Sequence, residues 1–325
     1  MRSIEICAGA GGQALGLEQA GFEHVALVEL DKSACSTLRK NRPEWNILEV
    51  DVHAFSTAQY HNISLFAGGV PCPPFSIAGK QLGKDDERDL FPAALRLIAE
   101  CSPKAVLLEN VRGLLSPKFN EYRQQIVDTL DALGYWCEWK LLNASDFGVP
   151  QLRPRAIMVA LKKKYSRFYV WPNKTVSVMH KVGMVLQKEM ASNGWELVHE
   201  WAHQANAIAP TLVGGSKKHG GADLGPTRAK LAWAKLGVDG KGLADSPPEK
   251  GFSGIPRLTV KMAGLIQGFP SNWEFTGKKT SAYRQVGNAF PPPVAKAIGL
   301  SIMSALIKGE NTLEDNYEED NSRRA

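Results

Sequence analysis

The chain has 325 residues, 44% hydrophobic and 22% charged, which gives room for about two domains of ~150 residues and excludes a disordered chain. The formal charge of +6 conceals a more basic body, because without the six acids between Glu310 and Asp320 there are 39 basic residues against 27 acidic ones. That balance points to a polyanionic partner, nucleic acid first. No uninterrupted apolar run approaches the ~18 residues of a membrane span, and Met1-Arg2-Ser3-Ile4 carries no signal-peptide pattern. The five cysteines are an odd number with no Cys-x-x-Cys pair, which argues against a disulfide framework and for a reducing, cytoplasmic setting.

Residues 4–8 read as a strand, Gly9-Ala10-Gly11-Gly12 as a turn, and residues 13–20 as a helix closed by Gly21. The alternation continues with strand 24–29, helix 32–40, strands 47–50 and 63–67, a helix from about 89 to 101, and strand 105–108. It predicts an α/β fold: a parallel sheet with helices on both faces and ligands at the carboxyl ends of the strands. From about Trp171 the texture changes. Residues 211–254 hold ten glycines in 44 positions, and residues 171–278 carry 13 basic against 8 acidic side chains. Such sequence suits a small loop-rich domain more than a second layered core. Residues 291–307 return to a helical apolar pattern through Val294, Ile298, Ile302 and Leu306, and this helix is expected to pack back on the first domain. The expected division is 1–170 for the first domain, 171–278 for the second, 279–308 for the return, and 309–325 for a disordered acidic tail.

Gly9 to Ala14 fits the Gly-x-Gly-x-x-Ala turn that lets a backbone approach a cofactor at a helix N-terminus. Glu29 and Asp51 end the second and third strands, where acids can take ribose hydroxyls and an adenine amino group. The set indicates an adenosine-type cofactor and leaves NAD and S-adenosylmethionine both open. Further on, Cys72 is enclosed by Pro71 and Pro73 just past a buried strand. A rigid loop that presents a thiol is what nucleophilic catalysis needs. A cysteine hydrolase would need a partner histidine, and none occupies a comparable strand end. Glu109 ends the next strand on the same rim as Cys72. Arg153 and Arg155 lie two residues apart and would point the same way if extended. His199-Glu200-Trp201-Ala202-His203 matches the zinc-protease helix motif. It lies within the basic, glycine-rich region with only His219 downstream, and no metal is expected.

Taken in order, these residues resemble the C5-cytosine DNA methyltransferase family over about residues 3–307, apart from a variable stretch. The resemblance is carried by Ala8 to Gly12, Glu29, Asp51, Pro71-Cys72, Phe75-Ser76-Ile77-Ala78-Gly79-Lys80, Glu109-Asn110-Val111 and Gln151 to Arg155. It continues through Arg257-Leu258-Thr259, Gln267-Gly268-Phe269-Pro270 and Arg284-Gln285-Val286-Gly287-Asn288-Ala289. It implies a Rossmann-like methyltransferase sheet with a smaller target-recognition domain at 171–278, and S-adenosylmethionine as cofactor. The cofactor would be held by Cys7, Ala8, Gly9, Gly11 and Gly12, by Glu29, Asp51 and Val52, and by Pro71 and Asn288.

It also implies a reaction. Cys72 adds to C6 of a flipped-out cytosine, Glu109 supplies a proton at N3, Arg155 binds O2, and Arg153 supports a nearby phosphate or the loop. Double-stranded DNA is the implied partner, met by Ser76, Lys217, Lys218, Arg228 and Lys230. The enzyme is expected to be a cytoplasmic monomer without a membrane association, paired in function but not physically with a restriction endonuclease. Two positions depart from the family: Cys7 stands where a phenylalanine usually packs on the adenine, and Pro73 where glutamine is most frequent. Three other readings compete. An RNA cytosine methyltransferase shares the fold, but the basic insertion favours duplex DNA. A DNA-binding relic would not need Cys72, Glu109 and Arg155, and a nicotinamide oxidoreductase leaves the Pro-Cys-Pro loop unexplained.

Overall fold

The computed structural model describes residues 1–71, 89–175, 178–214 and 221–322, with side chains described to residue 312. Seven strands form one sheet: β1 (Arg2–Ile6), β2 (Glu23–Glu29), β3 (Ile47–Glu49), β4 (Leu65–Gly69), β5 (Ala105–Val111), β6 (Tyr135–Asn143) and β7 (Pro154–Lys162). Their order is β3-β2-β1-β4-β5-β7-β6. The first five pair in parallel, whereas β7 runs antiparallel to both β5 and β6. The sheet is therefore mixed, not wholly parallel as expected. An antiparallel pair needs no crossover helix, so nothing in the alternation of strand and helix announces it.

The helices are α1 (Gly12–Gln19), α2 (Lys32–Asn41), α3 (Phe91–Cys101), α4 (Asn120–Ala132), α5 (Lys163–Ser166) and α6 (Val182–Met190). They continue with α7 (Val198–Gln204), α8 (Thr227–Lys235), α9 (Val260–Gln267), α10 (Lys279–Asn288) and α11 (Pro292–Ser322). The period-2 pattern of the buried strands divides the core between the two faces. Ile4, Ile6, Phe66 and Leu108 pack against Leu97 and Ile98 of α3 and Leu130 of α4. Leu65, Ala67, Leu107 and Val159 face Leu17 of α1 and Ile298, Ile302 and Leu306 of α11.

The α1–α11 crossing depends on residues without bulk. A Cβ at Gly16 would lie 2.4 Å from the Pro292 carbonyl oxygen and 2.5 Å from Ala295 Cβ, and one at Gly12 would lie 2.1 Å from the Phe290 carbonyl oxygen. Alanine favours a helix by about 1 kcal/mol over glycine, yet here its methyl must push two helices apart. Gly16→Ala is expected to lower stability by about 1–3 kcal/mol, read from its chemical denaturation midpoint. A more stable variant would show that the crossing is looser than these distances.

Helix α11 runs to Ser322, so the helix does not stop at the expected boundary near 308. Glu310 is held at its side by Lys104 Nζ at 2.8 Å and by the Tyr165 hydroxyl. By length and composition the stretch Lys279–Thr312 could cross a membrane, a property the search for uninterrupted apolar runs missed. Of its apolar window, 61% is buried inside the protein, as in a core helix.

Residues 171–278 are loop-rich, but they are not coreless. Val182 and Leu186 of α6, Trp201 of α7 and Trp233 of α8 pack with Met262 and Ile266 of α9 and with Tyr283 and Val286 of α10. The aromatic and aliphatic anchors are separated by glycine-rich connections, which blurs their helical period in the sequence.

Candidate active site

A cavity of about 530 Å3 opens at the carboxyl ends of β1, β2 and β4, the edge on which parallel α/β sheets bind ligands. Its volume lies in the range usual for cofactor sites. The turn after β1 forms one wall through Cys7, Ala8 and Gly9, and Glu29, Asp51 and Val52 form another. Pro71 and Asn288 line it as well.

The Glu29 carboxylate organises the turn. Gly9 N–H donates to Oε2 at 2.7 Å, while the Leu30 and Asp31 amides donate to Oε1 at 2.8 and 2.7 Å. Asp51 Oδ1 accepts from the His53 amide at 2.8 Å. Asp31 caps α2, with Oδ1 accepting from the Ser33 amide at 2.9 Å and the Ala34 amide at 3.2 Å. That cap fixes the direction in which the chain leaves Glu29.

Gly11 and Gly12 do not line the cavity. A Cβ at Gly11 would meet Leu38 at 2.6 Å and Trp273 at 3.1 Å, and Gly12 faces the Phe290 carbonyl. Their small size lets α1 pack closely against Leu38, Trp273 and Phe290. Cys7 does line the cavity, in a left-handed backbone conformation with φ 52°. Burial pushes its thiol above the ordinary range, and Glu29, Glu5 and Asp51 add to the rise. It is a neutral wall, not a nucleophile.

Two lining residues escaped the sequence reading. Glu5, in the middle of β1, is 1% exposed, and burial pushes its carboxyl well above the usual range, with Glu29 adding to the rise and the Ala14 amide opposing it. Among the described residues, neither the Oε1 nor the Nε2 atom of Gln13, at the start of α1, has a hydrogen-bond partner. A carboxyl between two isoleucines of a buried strand was the available signal. In all, the cavity has the carboxyl groups of Glu5, Glu29, Asp31, Asp51 and Glu109 on its walls, against the guanidinium of Arg284. Such a surround suits a ligand with cationic groups.

Glu109 near the end of β5 pairs with Gly69 of β4 across the parallel ladder. A Cβ at Gly69 would lie 3.5 Å from Glu109 Oε2, an ordinary contact, so the carboxyl lies directly over this position of the neighbouring strand. Arg155 Nε stands 2.7 Å from Glu109 Oε1. Burial raises the Glu109 pKa, and the cations of Arg155 and Arg153 only partly oppose the rise. Asn110 Nδ2 donates to the Val70 carbonyl at 2.7 Å, which ties this strand end to the chain two residues before Cys72.

Arg153 does not share the direction of Arg155. It is fully buried, and its guanidinium donates to the carbonyls of Leu212 at 2.8 Å, Gly287 at 2.8 Å and Ala289 at 2.9 Å. Of the two contacts expected of it, to phosphate or to the loop, the buried guanidinium makes one to a loop, as a clamp between Leu212 and the end of α10. Strand β7 begins only at Pro154, so the alternation assumed for the two arginines does not hold at Arg153.

Cys72, Ser76, Lys217 and Lys218 lie outside the described residues. On α8, Arg228 is exposed, whereas Lys230 Nζ is bound to Asp223 Oδ2 at 2.7 Å, which moderates the positive charge expected of it. His199 Nδ1 lies 2.9 Å from Gln187 Nε2, and among the described residues no group of three or more His, Cys, Asp or Glu is placed to hold a metal.

The profile of the C-5 cytosine-specific DNA methylases matches residues 1–304. The chain belongs to that family. It is a C-5 cytosine DNA methyltransferase of the restriction-modification type. It is 58% identical over 314 residues to the type II methyltransferase M.NaeI of Lentzea aerocolonigenes, covering 94% of this chain and 76% of that protein. To the type II methyltransferase M.NgoMIV of Neisseria gonorrhoeae it is 55% identical over 309 residues, covering 94% and 98%. The solved structure of the Entamoeba histolytica methyltransferase EhMeth superimposes with a TM-score of 0.64 at 16% identity, covering 94% of this chain and 98% of that one. The sheet is thus that of the S-adenosylmethionine-dependent methyltransferase fold.

Proposed function

We propose that this methyltransferase takes its methyl group from S-adenosylmethionine and delivers it to C5 of a cytosine flipped out of a short, specific duplex sequence. The Glu109–Arg155 pair carries the reading. O2 and N3 are adjacent acceptors on one edge of cytosine, and a guanidinium beside a carboxyl would serve both, the carboxyl in its protonated form.

The cavity fits the cofactor. Glu29 and Asp51 are placed for ribose hydroxyls and an adenine amino group, and the buried polar atoms of Glu5 and Gln13 lie where a methionine portion can satisfy them. The Glu29, Asp31 and Asp51 carboxylates among its lining residues complement an ammonium and a sulfonium. When bound, the cofactor supplies an electrophilic methyl group.

Cytosine C5 is too weak a nucleophile to take that methyl unaided. The Cys72 thiolate adds to C6 and places electron density on the ring, Glu109 protonates N3, and Arg155 holds O2. C5 then acts as an enamine carbon. After transfer N3 returns its proton to Glu109, the C5 proton passes to water, and the C6–S bond breaks, which restores aromaticity and returns the thiolate. The pocket lies beyond the reach of a stacked base, so the nucleotide must swing out at a cost of about a few kcal/mol.

Residues 171–278 would read the duplex as a monomer's recognition domain, with Lys217, Lys218, Arg228 and Lys230 largely on phosphates, and Ser76 of the first domain would also meet the DNA. The biological role follows from the restriction-modification type: protection of DNA from a cognate endonuclease that acts separately. Incubation with labelled S-adenosylmethionine and plasmid DNA, followed by sequencing of modified cytosines, should show 5-methylcytosine at one short motif. Label on tRNA and none on DNA would transfer the reading to RNA.

A further inference from the structure

Four segments distant in sequence meet at one buried point. Gln151 and Arg153 are both fully buried just before β7. Gln151 Oε1 accepts from the Leu212 amide at 2.8 Å, and Arg153 donates to the carbonyl of that same residue at 2.8 Å. The second guanidinium nitrogen reaches the carbonyls of Gly287 and Ala289 at the C-terminal end of α10. Gln151 Nε2 donates to Gln267 Oε1 at 2.7 Å, and Gln267 Nε2 donates in turn to the Ala289 carbonyl.

The chain at 209–214 therefore lies as a strap across α10. It begins with a parallel bridge between Gln151 and Ala209 and ends in a backbone-to-backbone crossing. A Cβ at Gly287 would be 2.3 Å from the Gly214 nitrogen, and one at Gly214 would be 2.5 Å from both the Arg284 carbonyl oxygen and Asn288 Oδ1. Arg284, Gln285, Asn288 and Ala289 in turn line the cofactor cavity. The strap also holds Leu152, whose amide donates to the Ala209 carbonyl at 2.8 Å and whose carbonyl accepts from the Thr211 hydroxyl, and it leaves Val213 47% and Leu152 53% exposed. One helix thus has the cavity on one side and the strap on another, and a single guanidinium binds both.

We propose that Arg153 is a positioning residue that couples occupancy of the cofactor cavity to the engagement of duplex DNA by the strap. The inference rests on the cofactor and DNA reading above. The chemistry requires arginine: three carbonyls converge from two directions, two of them at the negative end of a helix. A planar fork can serve all three, and a lysine ammonium, compact and strongly hydrated, cannot match their directions. When a ligand fixes Asn288 and Ala289, the carbonyls that flank Asn288 are fixed with them, and through Arg153 so is Leu212.

The test is titration calorimetry with S-adenosylhomocysteine and a duplex carrying the methylated motif, each alone and each in the presence of the other. In the wild type, one ligand should tighten the other by about fivefold or more, equally in both directions. In Arg153→Lys the separate affinities should stay within about threefold of wild type while the mutual effect falls toward unity. Gln151→Met, which removes the second hold on Leu212 without altering the strap or a cavity wall, should also weaken the mutual effect and carries the test if the lysine variant does not fold. Lost coupling with both separate affinities retained separates positioning from a general weakening of the fold, which would lower the affinities as well. Full coupling in both folded variants, or no coupling in the wild type, overturns the proposal. Failure of either ligand to bind the wild type at all would overturn the underlying reading of the site.

Discussion

Cys72→Ser is expected to lose methyl transfer by about 10^4- to 10^6-fold while binding its duplex with nearly unchanged affinity. A serine hydroxyl is isosteric enough to leave the loop's contacts alone, but it is a far weaker acid than a thiol and a poorer nucleophile toward C6. The measurement is single-turnover transfer of labelled methyl beside an equilibrium binding titration. An oligonucleotide with 5-fluorocytosine at the target adds an independent reading. Fluorine at C5 cannot leave as a proton does, so the wild type should remain covalently attached to that strand and the serine variant should not. Appreciable methylation by the serine variant would sink the covalent route.

The second large effect is expected at Glu109. Its carboxyl is 9% exposed and has its pKa raised by burial against the opposing charges of Arg155 and Arg153. Glu109→Gln keeps the size and can still donate a hydrogen bond to N3, but it has no proton to give. The expectation is a fall in kcat of about 10^2- to 10^4-fold, the scale of general acid catalysis, with KM for DNA changed little. The pH dependence provides a second readout. In the wild type the carboxyl must be protonated when the base is attacked, so the chemical step slows as pH rises through its raised pKa. The glutamine variant lacks that limb. If KM rises while kcat holds, Glu109 binds DNA and is not the acid.

The sequence was most legible where one physical rule dominated. Strands β1 to β5 with α1 to α3 alternate in a parallel sheet, and the alternation places Glu29 and Asp51 at strand ends, where both line the cavity. The rule failed where the geometry is not local. Gly11 and Gly12 look the same in sequence whether a ligand or a helix approaches them, and only the positions of Trp273 and Phe290 decide. Arg153 and Arg155 differ in role because the strand begins between them, a boundary that spacing alone does not reveal. Glu5 passed unnoticed because its neighbours satisfy a buried-strand pattern so well. In each case the missing information was which distant segment lies opposite.

The crossing of α1 and α11 has a consequence for synthesis. Gly16 rests on Pro292 and Ala295, so almost the whole length of the chain separates the two halves of one contact. On a ribosome adding ~5–20 residues per second, α1 emerges tens of seconds before the helix it must meet. Phe290 and Ala289, which close the cavity next to Gly12, arrive equally late. A nascent chain therefore has its cofactor-binding turn exposed but no finished pocket, and a shortened product has none at all. The pocket is thus completed only once residues 284–290 and the start of α11 have been made.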